Sequence, residues 1–262
     1  MVIELRGVDV RFADRHALNR LDLTVTAGER VAVIGPSGAG KSTLIRLLNG
    51  TVRPSAGSVG VLGAELGGAS ARVLRGVQRR IGTIAQQFDL VSELRVVHNV
   101  NAGRLGHWSL WRSATSLVRP HEVAEARSAL DRVGLADRVA QRSSTLSGGE
   151  QQRVAIARVL VQRPALVLAD EPVASLDPAR GAEIVALLHQ VVADSGATLL
   201  ASLHDVELAR RDFDRVLGLR EGRLMFDTAP SQLTSSMTDA LYELGAVDGP
   251  SHPSPRDTWR RC

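Results

Sequence analysis

The sequence predicts an α/β fold: a mostly parallel sheet with helices packed on it. Three observations lead there. Arg30-Val31-Ala32-Val33-Ile34 is a continuous apolar run of the kind buried on both faces of a parallel sheet. A glycine-rich loop and a helical pattern follow it directly. Two further apolar runs, residues 165–169 and 198–203, flank a helical stretch at 179–193, and strands alternating with crossover helices build a parallel sheet.

Ahead of these elements, Val8-Asp9-Val10-Arg11-Phe12 and Leu21-Asp22-Leu23-Thr24-Val25 alternate with the period of two expected of strands that have one solvated face. Ala27-Gly28-Glu29 is a turn. After the glycine loop, residues 42–48 have helical spacing with Leu44, Leu47 and Leu48 on one face, and Asn49-Gly50 supplies the left-handed stop. From about 91 to 160 the pattern is mostly helical. Residues 122–133 there place Val123, Ala126, Ala129, Leu130 and Val133 at three- and four-residue steps. The segment 103–120 holds Trp108 and Trp111 among Arg, Ser and Leu. Residues 215–226 form a final hairpin turning near Glu221-Gly222, and the Pro/Ser/Arg-rich stretch 250–261 is expected to be disordered.

The chain of 262 residues is long enough for one large domain or a domain with a lobe. A formal charge of +4, with the basic residues scattered, argues against a nucleic-acid surface. The single cysteine, Cys262, excludes an internal disulfide or a cysteine metal cluster, in keeping with a reducing compartment. No apolar run reaches the roughly 18 residues a membrane span needs, and the N-terminus lacks the apolar core of a signal peptide. A cytosolic protein is expected.

One residue type is informative by its scarcity. Of 32 basic Lys and Arg residues, 31 are arginine, and the lone lysine is Lys41. It sits in Gly35-Pro36-Ser37-Gly38-Ala39-Gly40-Lys41-Ser42, which fits the phosphate-binding loop G-x-x-x-x-G-K-[ST]. A compact ammonium acts as a point charge on a phosphate chain, where a guanidinium fork would crowd the glycine turn. The N–H groups from Ser37 to Ser42, with Thr43 in the first helical turn, would converge on the β- and γ-phosphates, and the Ser42 hydroxyl would take a place on Mg²⁺. A second element, Leu166-Val167-Leu168-Ala169-Asp170-Glu171, is an apolar strand ending in two carboxylates. Asp170 would face the metal, and Glu171 would polarise a water for attack on the γ-phosphate. A third, Leu146-Ser147-Gly148-Gly149-Glu150-Gln151-Gln152-Arg153, opens a helix whose N-terminus makes a second anion site.

With this third segment the sequence resembles the ATP-binding cassette ATPases. The resemblance covers about residues 2–233. It implies a P-loop NTPase core with a mostly parallel sheet, an antiparallel β subdomain and a helical subdomain: one domain at 1–244 with the core at 1–87 and 161–244, a helical lobe at 88–160, and a tail at 245–262. It also implies a two-fold pair of cassettes with two ATPs at the interface, Ser147, Gly148, Gly149 and Glu150 of each closing over the nucleotide of the other. By the same resemblance Gln86 reaches Mg²⁺ and the attacking water, Asp177 belongs to a loop that communicates across the pair, His204 contacts the γ-phosphate and Phe12 stacks on adenine.

The stretches Ile81-Gly82, Gln86-Gln87-Phe88-Asp89-Leu90-Val91, Asn101-Ala102-Gly103-Arg104-Leu105-Gly106 and Trp111-Arg112-Ser113 look like the phosphonate importer ATPases. Ala85 and Asp89 depart from that subgroup, which usually has phenylalanine and asparagine there. The implied function is ATP hydrolysis energising phosphonate import, with two membrane permease subunits as direct partners, a solute-binding protein as an indirect one, and a peripheral position on the cytoplasmic face of the membrane. Two alternatives stand beside it: a transporter ATPase for another solute, and an ATPase bound to a soluble complex such as carbon–phosphorus lyase.

Overall fold

The computed structural model of the chain describes residues 1–13, 15–118, 120–174 and 177–243; the tail expected at 245–262 and the pair Ser175-Leu176 lie outside them. The elements run β1 Ile3–Phe12, β2 Arg15–Val25, β3 Arg30–Ile34, α1 Lys41–Leu48, β4 Ala56–Val61, β5 Ala64–Glu65, α2 Ala71–Gln78, β6 Ile81–Ile84, α3 Val96–Asn101, α4 Leu110–Val118, α5 Val123–Arg132, α6 Gly148–Gln162, β7 Leu166–Asp170, α7 Pro178–Ser195, β8 Thr198–Leu203, α8 Val206–Asp212, β9 Arg215–Arg220, β10 Arg223–Thr228 and α9 Ser235–Tyr242.

They assemble two sheets. A four-stranded sheet has the order β2-β1-β4-β5, and a six-stranded sheet the order β10-β9-β3-β8-β7-β6. The first is antiparallel throughout, with Ile3 opposite both Val25 on β2 and Val61 on β4. In the second every pairing is parallel except that of β10 with β9. That last hairpin turns at Glu221 (φ 51°) and Gly222 (φ 75°), two consecutive left-handed residues of the kind that match the twist of paired strands.

The continuous apolar run of β3 is explained by its place between two cores. Val31 and Val33 pack with Leu44, Leu47 and Leu48 of α1 and with the apolar faces of β1, β2 and β4. Ala32 and Ile34 point the other way, into a core shared with α5, α6, α7 and α8. Side chains alternate along a strand, so a strand covered on both faces has no polar position to offer. Leu47 and Leu48 are both fully buried, each burial being worth about 1.5–3 kcal/mol. Helix α1 is thereby held against the sheet, and its N-terminus stays at the carboxyl end of β3.

Between β6 and β7 the chain is helical from α3 to α6, with one isolated bridge, Arg95 opposite Arg142, among the described residues. Helix α6 contributes Val154, Ile156, Ala157 and Val159 to the core beneath the sheet.

Candidate nucleotide site

The site lies where β3, β6, β7 and β8 leave the sheet at their carboxyl ends. The loop after β3 is shaped by backbone crowding. A Cβ on Gly35 would stand 2.0 Å from the Leu219 carbonyl oxygen, and one on Gly40 (φ 106°) would stand 2.5 Å from that of Ala17. No L side chain fits either place. Gly40 is also the N-cap of α1 and gives it no side-chain cap, so the helix presents uncapped N–H groups at the loop.

Lys41 is 4% exposed. Its ammonium donates to the carbonyl oxygens of Gly35 at 2.7 Å and Pro36 at 3.2 Å, curling back along the loop it belongs to. Burial pulls its pKa below the ordinary lysine value, and the nearby charges of Glu171 and Asp170 work against that shift.

The carboxylate pair predicted at the end of β7 is tied down from three sides. Ser42 Oγ donates to Asp170 Oδ1 at 3.1 Å, and Ser202 Oγ donates to the same oxygen at 2.8 Å. Ser202 Oγ also accepts from the Glu171 amide at 2.8 Å. Glu171 itself has φ 49°, a left-handed conformation that a non-glycine residue keeps only where its surroundings demand it. Its carboxylate is then shared: Oε1 lies 2.6 Å from His204 Nε2, and Oε2 accepts from Gln86 Nε2 at 3.2 Å. Three residues far apart in sequence, on three different segments, meet at one carboxylate.

These groups face a cavity of about 520 Å³ lined by Phe12, Arg15, Ala17, residues 37–43, Gln86, Glu171 and His204. The structure thus gathers Phe12, Ser37, Gly38, Ala39, Gly40, Lys41, Ser42, Thr43, Gln86, Glu171 and His204, with Gly35 and Pro36 behind as acceptors for Lys41. Asp170 opens instead onto an adjoining cavity of about 390 Å³ that shares Ser42 and Gln86. Asp177 caps α7, accepting from the Arg180 amide at 3.0 Å, and lines a third cavity that shares Glu171 and His204.

Ser147, Gly148, Gly149 and Glu150 line none of these three cavities. They form the start of α6, where Ser147 and Glu150 make a reciprocal capping box. Glu150 Oε2 accepts from both the amide and the hydroxyl of Ser147 at 2.9 Å, and its other oxygen lies 3.2 Å from Arg138 Nε. The Ser147 amide, chiefly, draws the Glu150 pKa below its ordinary value.

Two polar residues of the site were given no role from the sequence. Ser202 had a legible signal, a hydroxyl one place before the end of a fully buried strand. Arg15 had none, because nothing in a scattered set of arginines marks the one that faces a cavity.

A phosphate loop between a central parallel strand and a helix, with a carboxylate at the end of a strand two places away, defines a P-loop nucleotide-binding α/β domain. Residues 18–174 match the ABC transporter family, and the chain belongs to that family. The phosphonates import ATP-binding protein PhnC 2 of Pseudomonas aeruginosa is 50% identical over 243 residues, spanning 92% of this chain and 91% of that protein. PhnC of Anaeromyxobacter dehalogenans is 49% identical over 256 residues, 97% of this chain but 51% of that protein, so the chain spans about half its length. Among solved structures, the dimeric post-hydrolysis state of the ATP-binding cassette MJ0796 bound to ADP and Pi superposes with a TM-score of 0.72 at 28% identity, covering 87% of this chain and 99% of that one. The expected architecture, an ABC ATPase cassette with parallel and antiparallel sheets and helices, is the one observed.

Proposed function

We propose that the chain is the ATP-hydrolysing subunit of an ABC importer and energises uptake of phosphonates or related phosphorus oxyanions. The observation that carries the ATPase reading is the meeting of Gln86, Glu171 and His204 at one carboxylate beside the phosphate loop. The substrate class follows from likeness to the phosphonate import proteins.

In this reading the N–H groups of residues 37–42 and the start of α1 cradle the β- and γ-phosphates of ATP, and Lys41 leaves the Gly35 and Pro36 carbonyls to pair with them. Phe12, 49% exposed at the cavity mouth, stacks on the adenine. Glu171 orients the attacking water and accepts its proton at one carboxylate oxygen. His204 and Gln86 hold that carboxylate in place and reach the γ-phosphate side of the site. Among the described residues no group of three or more His, Cys, Asp or Glu side chains could cage a metal. The hard oxygens of Ser42, Asp170 and the Gln86 amide do suit Mg²⁺, an ion held by one or two carboxylates together with substrate phosphates. Bound there, Mg²⁺ would neutralise charge on the phosphate chain.

The partner for the start of α6 is a second cassette. This exposed N-terminus with Ser147, Gly148, Gly149 and Glu150 lies outside the cavity of its own chain, so a two-fold pair would lay each such segment over the nucleotide of the other, with Asp177 at the junction. We assign residues 1–87 and 161–244 to the nucleotide-binding core and 88–160 to a helical lobe of the same domain. That lobe carries the permease contact, and Trp111, 80% exposed on α4, is suited to anchor one of two permease subunits. The assembly sits on the cytoplasmic face of the membrane, and a solute-binding protein delivers cargo to the permeases. Among the described residues no helix is long and apolar enough to cross a membrane itself.

The deciding experiment replaces Glu171 with Gln in the source organism and compares growth on a phosphonate with growth on phosphate as sole phosphorus source. Loss on phosphonate alone, with carbon–phosphorus lyase activity in lysates retained, supports ATP-driven uptake. Unimpaired growth on phosphonate, with no second importer present, refutes the substrate assignment.

A further inference from the structure

Arg15 stands at the mouth of the nucleotide cavity and takes no part in the machinery described above. Its guanidinium Nη2 donates to the Gly38 carbonyl oxygen at 3.3 Å, at the tip of the phosphate loop. The contact is close: a Cβ on Gly38 would stand 3.0 Å from that same nitrogen. Among the described residues lining the cavity, Arg15 and Lys41 are the only lysine or arginine, and Glu171 is the only carboxylate. Arg15 is also the cross-strand partner of Phe12 in the β1–β2 hairpin. One hairpin therefore presents an aromatic ring and a guanidinium side by side over the glycine loop.

A nucleoside triphosphate brings about three to four negative charges into this space; Lys41 offsets one and a bound Mg²⁺ would offset two, which leaves room for a further cation. The Gly38 carbonyl is a neutral acceptor on an exposed side chain's path, whereas a phosphate oxygen is a charged one that a guanidinium can grip with two parallel N–H groups. We infer that Arg15 is a second phosphate-binding residue, which exchanges the Gly38 carbonyl for the phosphate chain of the bound nucleotide. Phe12 and Arg15 then divide the ligand between them, ring to base and guanidinium to phosphate.

This inference rests on the cavity being the ATP site, and the test separates the two. ATP affinity is measured by titration calorimetry on the full chain for the unaltered protein, K41A, R15K, R15Q, R15A and R15E. Melting temperatures of the nucleotide-free variants provide a check on folding. Arg15→Lys, which keeps the charge but loses the fork, is expected to bind about threefold more weakly than the unaltered protein, Arg15→Gln and Arg15→Ala roughly tenfold more weakly, and Arg15→Glu more weakly still. The glutamine variant keeps a side-chain amide donor but brings no charge, so it separates the loss of charge from the loss of a polar side chain. If Arg15→Gln keeps full affinity, or Arg15→Ala binds ATP like the unaltered protein while K41A does not, Arg15 only props the loop or does nothing, and the inference falls. If the unaltered protein and K41A bind ATP equally, the nucleotide reading of the cavity falls with it.

Discussion

His204 Nε2 lies 2.6 Å from Glu171 Oε1, so the residue after β8 and the residue after β7 share one hydrogen bond across neighbouring strands. Glu171 reaches that position with a left-handed backbone, and the strain is held in place by the Ser202 hydroxyl on its amide. The carboxylate is thus aimed by contacts within the protein itself.

Glu171→Gln removes the proton acceptor while keeping a side chain of the same size. ATP binding is expected to persist and hydrolysis to fall by about 10²- to 10⁴-fold. A pair of chains trapped with ATP is expected by gel filtration. Turnover at the unaltered rate would remove Glu171 from the chemistry.

Ser202→Ala deletes a hydroxyl that is fully buried, donates to Asp170 and accepts from Glu171. The Glu171 amide then has no such partner, a loss of about 1–3 kcal/mol. Urea unfolding should show that loss, and steady-state assays should show a lower kcat because the Glu171 backbone is no longer pinned.

Ser147→Arg places a bulky cation at the exposed start of α6, outside the cavity of its own chain. A single chain should bind ATP with unchanged affinity and fail to pair on ATP addition. Light scattering of the E171Q background with and without this change measures the pairing directly; ATP-dependent pairing that survives the substitution would exclude the α6 N-terminus from the interface.

Glu150 has a folded-state pKa held below its ordinary value of 4.5, first by the Ser147 amide. A depressed carboxylate contributes stability that is present above the unfolded-state pKa and is lost as pH falls through the folded one. Glu150→Gln should therefore cost up to about 1 kcal/mol at pH 7, and the difference should shrink as pH falls below 4.5 and vanish once it is below the depressed folded-state pKa. Urea midpoints at stepped pH check the sign; a gap that widens in acid would contradict the capping-box account.

Much of this molecule was determined by local sequence. The apolar runs of β3, β7 and β8, the glycine spacing around Lys41 and the Asp170-Glu171 pair each carry their own physical reason within a few residues, so they read directly as strands, a phosphate loop and a carboxylate strand end. The β9–β10 hairpin was legible in the same way, from Glu221-Gly222. What the sequence left undecided depends on distant contacts. Strand β4 pairs with β1 across some fifty residues, and its segment Ala56–Val61, with two glycines in six positions, has too weak an apolar alternation to announce a strand. The convergence of Gln86, Glu171 and His204, the buried bridge made by Ser202 and the placing of Arg15 over Gly38 arise only when four strand ends and one hairpin are brought together. Hydrogen bonds of that kind are set by where the sheets put the chain, and no local periodicity encodes them.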